Sequence, residues 1–291
     1  MKPPPFQYHD PKTVAEAVSL LGSLDNAKLL AGGQSLMPML NMRFVLPDHV
    51  IDLNRVEGLS GIKEAGGVLE IGAMTRQRDI EFSDLVKTKC PLLHQAIMQI
   101  GHRQTRNRGT IGGSLCHLDP AAELPSVAAA HDATIVVAGP NGQREIKFAN
   151  FPVAFMTPSI ELNEMVTAIR FPLWSANHKA AFVEFSRRHG DFAIVSAAVL
   201  LEQDGGGKIS RASVTIGGVA VAPVRATAVE QAITGQVASV DLFRTACESC
   251  RTIEALADVH ASADYRQHLA AVLSRRALER ATGLGSQAAV H

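Results

Sequence analysis

Residues 107–125 read NRGTIGGSLCHLDPAAELP, and together with AGGQSLMPMLNMRF at 31–44 they decide how this chain is read. Each stretch carries a Gly-Gly pair where a strand or loop hands over to a helix. Gly32-Gly33-Gln34-Ser35 follows a short apolar strand expected over 28–31, and Thr110-Ile111-Gly112-Gly113-Ser114 follows a basic run. Backbone without a Cβ, set beside hydroxyl donors, lets N–H groups approach a diphosphate closely. No GxGxxG follows a strand, no GxxxxGK[ST] occurs, and Ser35 and Ser114 lack the second glycine of a GxSxG nucleophile elbow. An ordinary turn and a phosphate cradle are both open readings of either loop alone. The pair, each ending in a hydroxyl, favours a dinucleotide site.

Asp119-Pro120 predicts a helix from Pro120 to about His131, with Asp119 as N-cap and proline at the first position. Glu123 would share the Asp119 face four residues on. These carboxylates could accept from ribityl or ribose hydroxyls; acid–base work is the weaker reading, since no histidine or lysine is implied beside them. The run 102–108 holds Arg103, Arg106 and Arg108. It is a solvated basic loop, a counter-charge for a diphosphate, or a dock for an acidic partner. Histidines are scattered without HExxH, and Cys247/Cys250, the one CxxC pair, lies in a helical apolar pattern where buried cysteine is common. A metal site would need a second pair or nearby histidines. Neither a catalytic residue nor a metal ligand is assigned.

Working outward, 291 residues at roughly 150 per domain predict about two domains. Equal Lys+Arg and Asp+Glu, 28 each, argue against a polyanion binder. The start MKPPPFQYHDPK has no apolar h-region and no apolar run reaches the ~18 residues of a span, so a soluble cytoplasmic protein is expected. Thr13/Glu16 and Thr227/Glu230 read as capping boxes. Strands are expected at 50–53, 68–73, 180–186, 193–201 and 212–216, a hairpin at 134–148, and helices at 91–100, about 241–257 and 264–281. A linker is placed at 171–179. The layout is α+β, an N-terminal part to about residue 175 followed by a smaller C-terminal domain.

The stretches at 31–44 and 107–125, with IGAMT at 71–75, RRHGDFAIVSAAV at 187–199 and DYRQHLAAVLSRRALERA at 264–281, resemble the FAD-binding medium subunit of the molybdenum hydroxylases, the xanthine dehydrogenase and carbon monoxide dehydrogenase relatives. The resemblance runs nearly end to end and in order. It implies an FAD-binding fold of the vanillyl-alcohol oxidase type over 1–175, in subdomains of about 1–55 and 56–175. A carbon monoxide dehydrogenase flavoprotein-like α+β domain would follow over 180–285. It also implies that Leu30, Ala31, Gly32, Gly33, Gln34, Ser35 and Leu36 wrap the diphosphate, and that Ile100 and Gly101 border the adenine end. Thr110, Ile111, Gly112, Gly113 and Ser114 would form a second clamp, Asp119 and Glu123 would take hydroxyls, and Val166 and Phe192 would line the pocket, Phe192 near the isoalloxazine. Core packing is the competing reading of Phe192.

The implied cofactor is non-covalent FAD. Molybdenum–pterin would reside in a large partner subunit and two [2Fe–2S] clusters in a small one, as a dimer of heterotrimers that passes electrons to an external acceptor. Gln34 stands where some relatives have histidine, Phe192 where some have tyrosine, and Glu184 where relatives often carry lysine, so Glu184 receives no cationic role. The alternatives are a stand-alone flavin oxidoreductase of the same fold and a non-enzymatic nucleotide-binding assembly module. The substrate of the complex is left open.

Overall fold

The computed structural model describes residues 1–284. Strand β1 (Gln7–His9) leads into helix α1 (Val14–Ser23), then β2 (Ala27–Leu30), α2 (Leu36–Asn41) and β3 (His49–Asp52). β3 lies between the other two and pairs parallel with both, so each connection is a crossover carrying a helix. The Thr13 capping box forms as expected: the Thr13 hydroxyl accepts from the Glu16 amide at 3.2 Å, and the Glu16 carboxylate accepts from the Thr13 amide at 3.3 Å. Ala17 and Val18 of α1 pack on Ile51 and Leu53, and Met74, Ala138 and Met165 join this cluster from beyond residue 56.

The chain continues with β4 (Ile62–Ala65) and β5 (Val68–Gly72). Six helices follow: α3 (Gln77–Phe82), α4 (Asp84–Lys89), α5 (Pro91–Ile97), α6 (Arg103–Arg108), α7 (Ile111–His117) and α8 (Glu123–Ala130). After them come β6 (Thr134–Gly139), β7 (Gly142–Lys147), a small ladder of β8 (Pro152–Ala154) with β9 (Thr157–Pro158), and β10 (Met165–Pro172). β4-β5-β10-β6-β7 form an antiparallel sheet in that order. Its central strand β10 is missing from the sequence reading, because a register shift between Val166 and Ala168 interrupts the two-residue alternation that marks a strand. The expected linker after Pro172 is partly core: Trp174 is buried, with the Arg211 guanidinium 3.8 Å from its ring centroid.

The last unit contains β11 (Lys179–Phe185), β12 (Val195–Gln203), β13 (Ile209–Gly217) and β14 (Val224–Arg225), an antiparallel sheet in chain order. Then follow α9 (Thr227–Ile233), α10 (Val240–Cys247), a 3₁₀ turn at Glu248–Thr252, and α11 (Ala263–Thr282). Ala181, Val183, Ala197, Val199, Val214 and Ile216 pack with α11, whereas Phe182, Ala198 and Leu200 join the core of the preceding sheet and helices. Burial on both faces is why β12 reads as a continuous apolar run.

Two expectations fail here. Thr227 lies inside α9 and Ala226 is its N-cap, while the Glu230 carboxylate accepts from the Val214 amide at 2.7 Å and pairs with Arg225. A strand amide and a guanidinium outcompete the local cap. The helix expected over 241–257 ends at Cys247 and passes into the 3₁₀ turn. Cys247 and Cys250 are buried in this core, and burial pushes the Cys250 thiol up to about 11. Among the described residues no helix is long and apolar enough to cross a membrane, and no group of three or more His, Cys, Asp or Glu is placed to hold a metal ion.

Arg266 of α11 is buried. It donates to the carbonyl of Gly218 at 2.7 Å and to that of Ile194, and pairs with Asp258 at 2.6 Å. Replacing it by methionine strands two carbonyls. Urea unfolding followed by circular dichroism should show a loss of about 3 kcal/mol for Arg266→Met, against about 1 kcal/mol or less for Asp258→Asn at the exposed end.

Candidate cofactor site

β2 delivers the chain into Gly32–Ser35, from which α2 starts. Among the described residues, no protein group accepts from the amides of Gly32, Gly33, Gln34 or Ser35. The loop's carbonyls are engaged: Gly33 accepts from Met37 at 3.2 Å and Ser35 from Met39 at 3.1 Å. Gly33 has φ +73°, a conformation that favours glycine, and the Ser35 hydroxyl makes no capping bond. Four consecutive unspent donors and a free hydroxyl are the chemistry of an anion cradle. Leu30 and Leu36 flank it at the end of β2 and the start of α2.

The second loop differs from expectation. Ile111 donates to the Thr75 carbonyl at 3.2 Å, Gly112 to Ala73 at 2.9 Å, Gly113 to the Thr110 hydroxyl at 3.1 Å and Ser114 to the Thr110 carbonyl at 3.1 Å. Its amides are spent on capping α7 and docking it on the segment that follows β5. The glycines serve close packing instead. A Cβ on Gly112 would fall 2.7 Å from the Ala73 carbonyl oxygen, and one on Gly113 would fall 3.3 Å from Cβ of Ala31. A Cβ on Gly32 would fall 2.2 Å from the carbonyl oxygen of Arg108. The two loops therefore touch, and what the second offers a ligand is the Ser114 hydroxyl and the surface of Gly113.

A brace missed in the sequence lies across both loops. Asn54 donates to the Ala31 carbonyl at 3.0 Å, and the Arg76 guanidinium bonds the Asn54 side chain and the Arg108 carbonyl. Burial, then the Arg108 charge, lowers the Arg76 pKa, and as a guanidinium it still supplies a cation between the loops. Arg76 directly follows IGAMT, and its position was the available signal.

The 102–108 run is helix α6 rather than a loop. Arg106 is 8% exposed, with Nε 2.9 Å from Glu81 and a second nitrogen 2.9 Å from the Ile100 carbonyl. That buried pair excludes Arg106 from the solvated reading, while Arg103 and Arg108 remain exposed. Ile100 is buried, and Gly101, at φ +43°, packs on Thr105.

The helix expected from Pro120 starts at Glu123. α7 ends at Leu118 with φ +52°, and Asp119 accepts from the Ala121 amide at 2.9 Å, so it caps a turn and not a helix. The Asp119–Glu123 pair is therefore not set by helical spacing. Glu123 is 5% exposed; burial, with a smaller contribution from the Asp119 charge, pushes it up to about 7. The Pro120 carbonyl accepts from Gly218 at 2.9 Å, tying this turn to β13. Val166 is buried in β10 beneath α7, linked through Thr167, which accepts from Ala73 at 2.9 Å. Phe192 is 62% exposed on the loop between β11 and β12, against the core-packing alternative. Gly190 of that loop stands so close to His102 that a Cβ would fall 2.5 Å from the imidazole. Leu30–Leu36 and Thr110–Ser114 are thus in contact, and α7 runs from them toward Asp119, Glu123 and the C-terminal sheet.

Gly32→Ala must force the Arg108–Gly109 backbone away. A thermal melt should report a loss of about 2 kcal/mol or more, whereas Gly205→Ala, with nothing within 4 Å, should stay near wild type.

Residues 4–174 match the family described as the FAD binding domain in molybdopterin dehydrogenase, and residues 180–281 match the CO dehydrogenase flavoprotein C-terminal domain. The chain is 37% identical to the carbon monoxide dehydrogenase medium chain of Hydrogenophaga pseudoflava, covering 97% of this chain and 98% of that one. It is 39% identical to the 6-hydroxypseudooxynicotine dehydrogenase complex subunit alpha of Paenarthrobacter nicotinovorans, covering 97% and 96%. A solved carbon monoxide dehydrogenase from Hydrogenophaga pseudoflava superposes with a TM-score of 0.94 over 98% of this chain and 100% of that one, at 39% identity. Quinoline 2-oxidoreductase from Pseudomonas putida 86 gives 0.93 over 98% and 99%, at 32% identity. The chain belongs to the flavoprotein family of the molybdopterin dehydrogenases, as an oxidoreductase subunit with an FAD-binding domain and a carbon monoxide dehydrogenase flavoprotein-type C-terminal domain.

Proposed function

We propose that this chain is the FAD-carrying, electron-transferring medium subunit of a molybdenum, iron–sulfur and flavin hydroxylase. The observation that carries the reading is the row of unspent amides from Gly32 to Ser35, held open by a glycine-to-backbone contact and braced by Asn54 and Arg76. Bound there, FAD supplies the exchange between one-electron clusters and a two-electron acceptor.

The protein's part is binding, orientation and electrostatics. Leu30 to Leu36 hold the diphosphate through the free amides and the Ser35 hydroxyl, with Arg76 as the nearby positive charge. Ser114 and Gly113 form the second wall, on the platform of Thr110, Ile111 and Gly112. Ile100 and Gly101 border the adenine end, and Val166 supports the pocket from β10. Phe192, exposed on the loop between β11 and β12, would lie near the isoalloxazine. Asp119 and Glu123 take the ribityl or ribose hydroxyls. Raised to about 7, Glu123 carries a proton part of the time near neutral pH, so it both donates and accepts. FAD is held non-covalently, and the chain divides near residues 175–180 into cofactor-binding and C-terminal units.

The partners are a large molybdopterin subunit and a small [2Fe–2S] subunit, in a dimer of heterotrimers in the cytoplasm, with an external electron acceptor. By their names, similar proteins act on carbon monoxide, 6-hydroxypseudooxynicotine and quinoline. Such unrelated substrates support a subunit whose site serves the cofactor, with substrate choice in the large subunit. Ser35→Ala, which removes one hydrogen bond, should weaken FAD about tenfold. Gly33→Val should give folded protein lacking the flavin band near ~450 nm. Full flavin occupancy in Gly33→Val would refute the loop assignment. Affinity capture of the tagged chain from its own cells should bring both partner subunits with it.

A further inference from the structure

Alternation along β11 turns Ala181 and Val183 toward α11 and Phe182 toward the FAD-binding unit, so Glu184 shares the Phe182 face, the one α5 packs against, with α8 beyond it on β12 and β13. In the β11–β12 register Glu184 stands opposite Ser196. The hydroxyls of Ser196 and Ser126 lie 2.5 and 2.3 Å from the point a Cβ on Gly217 would occupy. Ser126 sits one turn after Glu123 on α8. Oε2 of Glu184, Oγ of Ser126 and Oγ of Ser196 are buried without a partner, as is Oγ1 of Thr215, two residues before Gly217 on β13. The seam between α8 and the C-terminal sheet therefore gathers three orphaned hydroxyl oxygens beside the Glu184 carboxyl, which has an orphaned oxygen of its own, and buried polar groups require partners.

We propose that Glu184 is a positioning residue for the cofactor-binding carboxyl group Glu123: the two share one proton across this seam, through ordered water among Ser126, Ser196 and Thr215, so that FAD binds together with a proton drawn from solvent. The proposal rests on Glu123 being a cofactor contact.

The surrounding charges favour proton sharing. α8 contributes Glu123, with Asp119 beyond it. α5 contributes Gln95, bonded to the Ala180 carbonyl at 3.3 Å and the Phe182 amide at 3.0 Å. β12 contributes the neutral Ser196. α11 lies on the opposite face, with Tyr265 against Phe185 and Arg266 spent on Ile194, Gly218 and Asp258. Burial, then the Glu123 charge, pushes Glu184 up to about 8, and no cation offsets it. Two carboxylates in one buried site do not both ionise at neutral pH. A ligand that excludes water and brings a diphosphate raises both groups further. FAD affinity is then full while the shared proton is in place and falls as pH rises past about 8.

The test titrates FAD-stripped, full-length protein with FAD from about pH 6.5 to 9.5, following flavin fluorescence and, in weak buffer, a pH indicator. Wild type should take up about half a proton per FAD at pH 8 and lose about tenfold in affinity between pH 7 and 9. Glu184→Gln should take up clearly less than the wild-type half proton per FAD at pH 8 and lose less than the wild-type tenfold over that range, its remaining dependence centred near pH 7 on Glu123. Wild type binding FAD without proton uptake, or Glu184→Gln retaining the wild-type profile, overturns the proposal. The wild-type measurement decides alone if the variant does not fold. Failure of both proteins to bind FAD at any pH overturns the assignment of the site itself.

Discussion

The carbonyl oxygen of Arg108 stands 2.2 Å from where a side-chain carbon on Gly32 would be, and the site depends on that contact. It brings a loop from the parallel three-stranded sheet against a loop from the antiparallel five-stranded one. Several anchors hold it there. The Arg106–Glu81 pair pins α6, Gly109 accepts from the Gln77 amide at 2.9 Å, and Arg76 with Asn54 ties the Arg108 carbonyl to that of Ala31. With the first amides of α7 spent on Ala73, Thr75 and Thr110, the free donors of the two loops are concentrated in Gly32–Ser35. One loop binds and the other supports it.

The C-terminal sheet completes the arrangement by being two-sided. Its α11 face is apolar, while its opposite face carries Phe182, Ala198 and Thr215 in one row across the strands and Glu184, Ser196 and Gly217 in the row at its polar end. The polar end of a buried sheet is costly unless it is hydrated or protonated, which makes this seam chemically responsive and the rest of the interface inert. The same division appears in the cysteines: Cys247 and Cys250 belong to the inert side, where burial holds them as thiols.

Legibility in the sequence followed the range of the interactions. The Thr13–Glu16 cap, the hairpin expected at 134–148 and observed over 134–147, and α11 rest on contacts a few residues apart, and each formed within a few residues of where its pattern placed it. Readings that needed to know a distant partner failed. Glu230 met a strand amide and Arg225 instead of capping its own helix, Arg106 met Glu81, and Asp119 closed a turn because Leu118 takes a positive φ. β10 was invisible because its bulge breaks the alternation, yet it is the central strand of its sheet.

By itself the sequence determined the class of this protein. Two glycine pairs, an acidic turn and the end-to-end order of its motifs were enough to identify a flavoprotein of the molybdopterin dehydrogenase family. A balanced charge of 28 against 28 argued against a polyanion binder, since Coulombic affinity draws on an excess of cations. Only the tertiary structure decided which glycine loop offers its amides, which arginine lies between the loops, and that Glu123 and Glu184 are each buried without a cation beside them. Those outcomes turn on which groups are left unpaired or buried together once the chain has packed, and neither burial nor pairing is a property of any local stretch of residues.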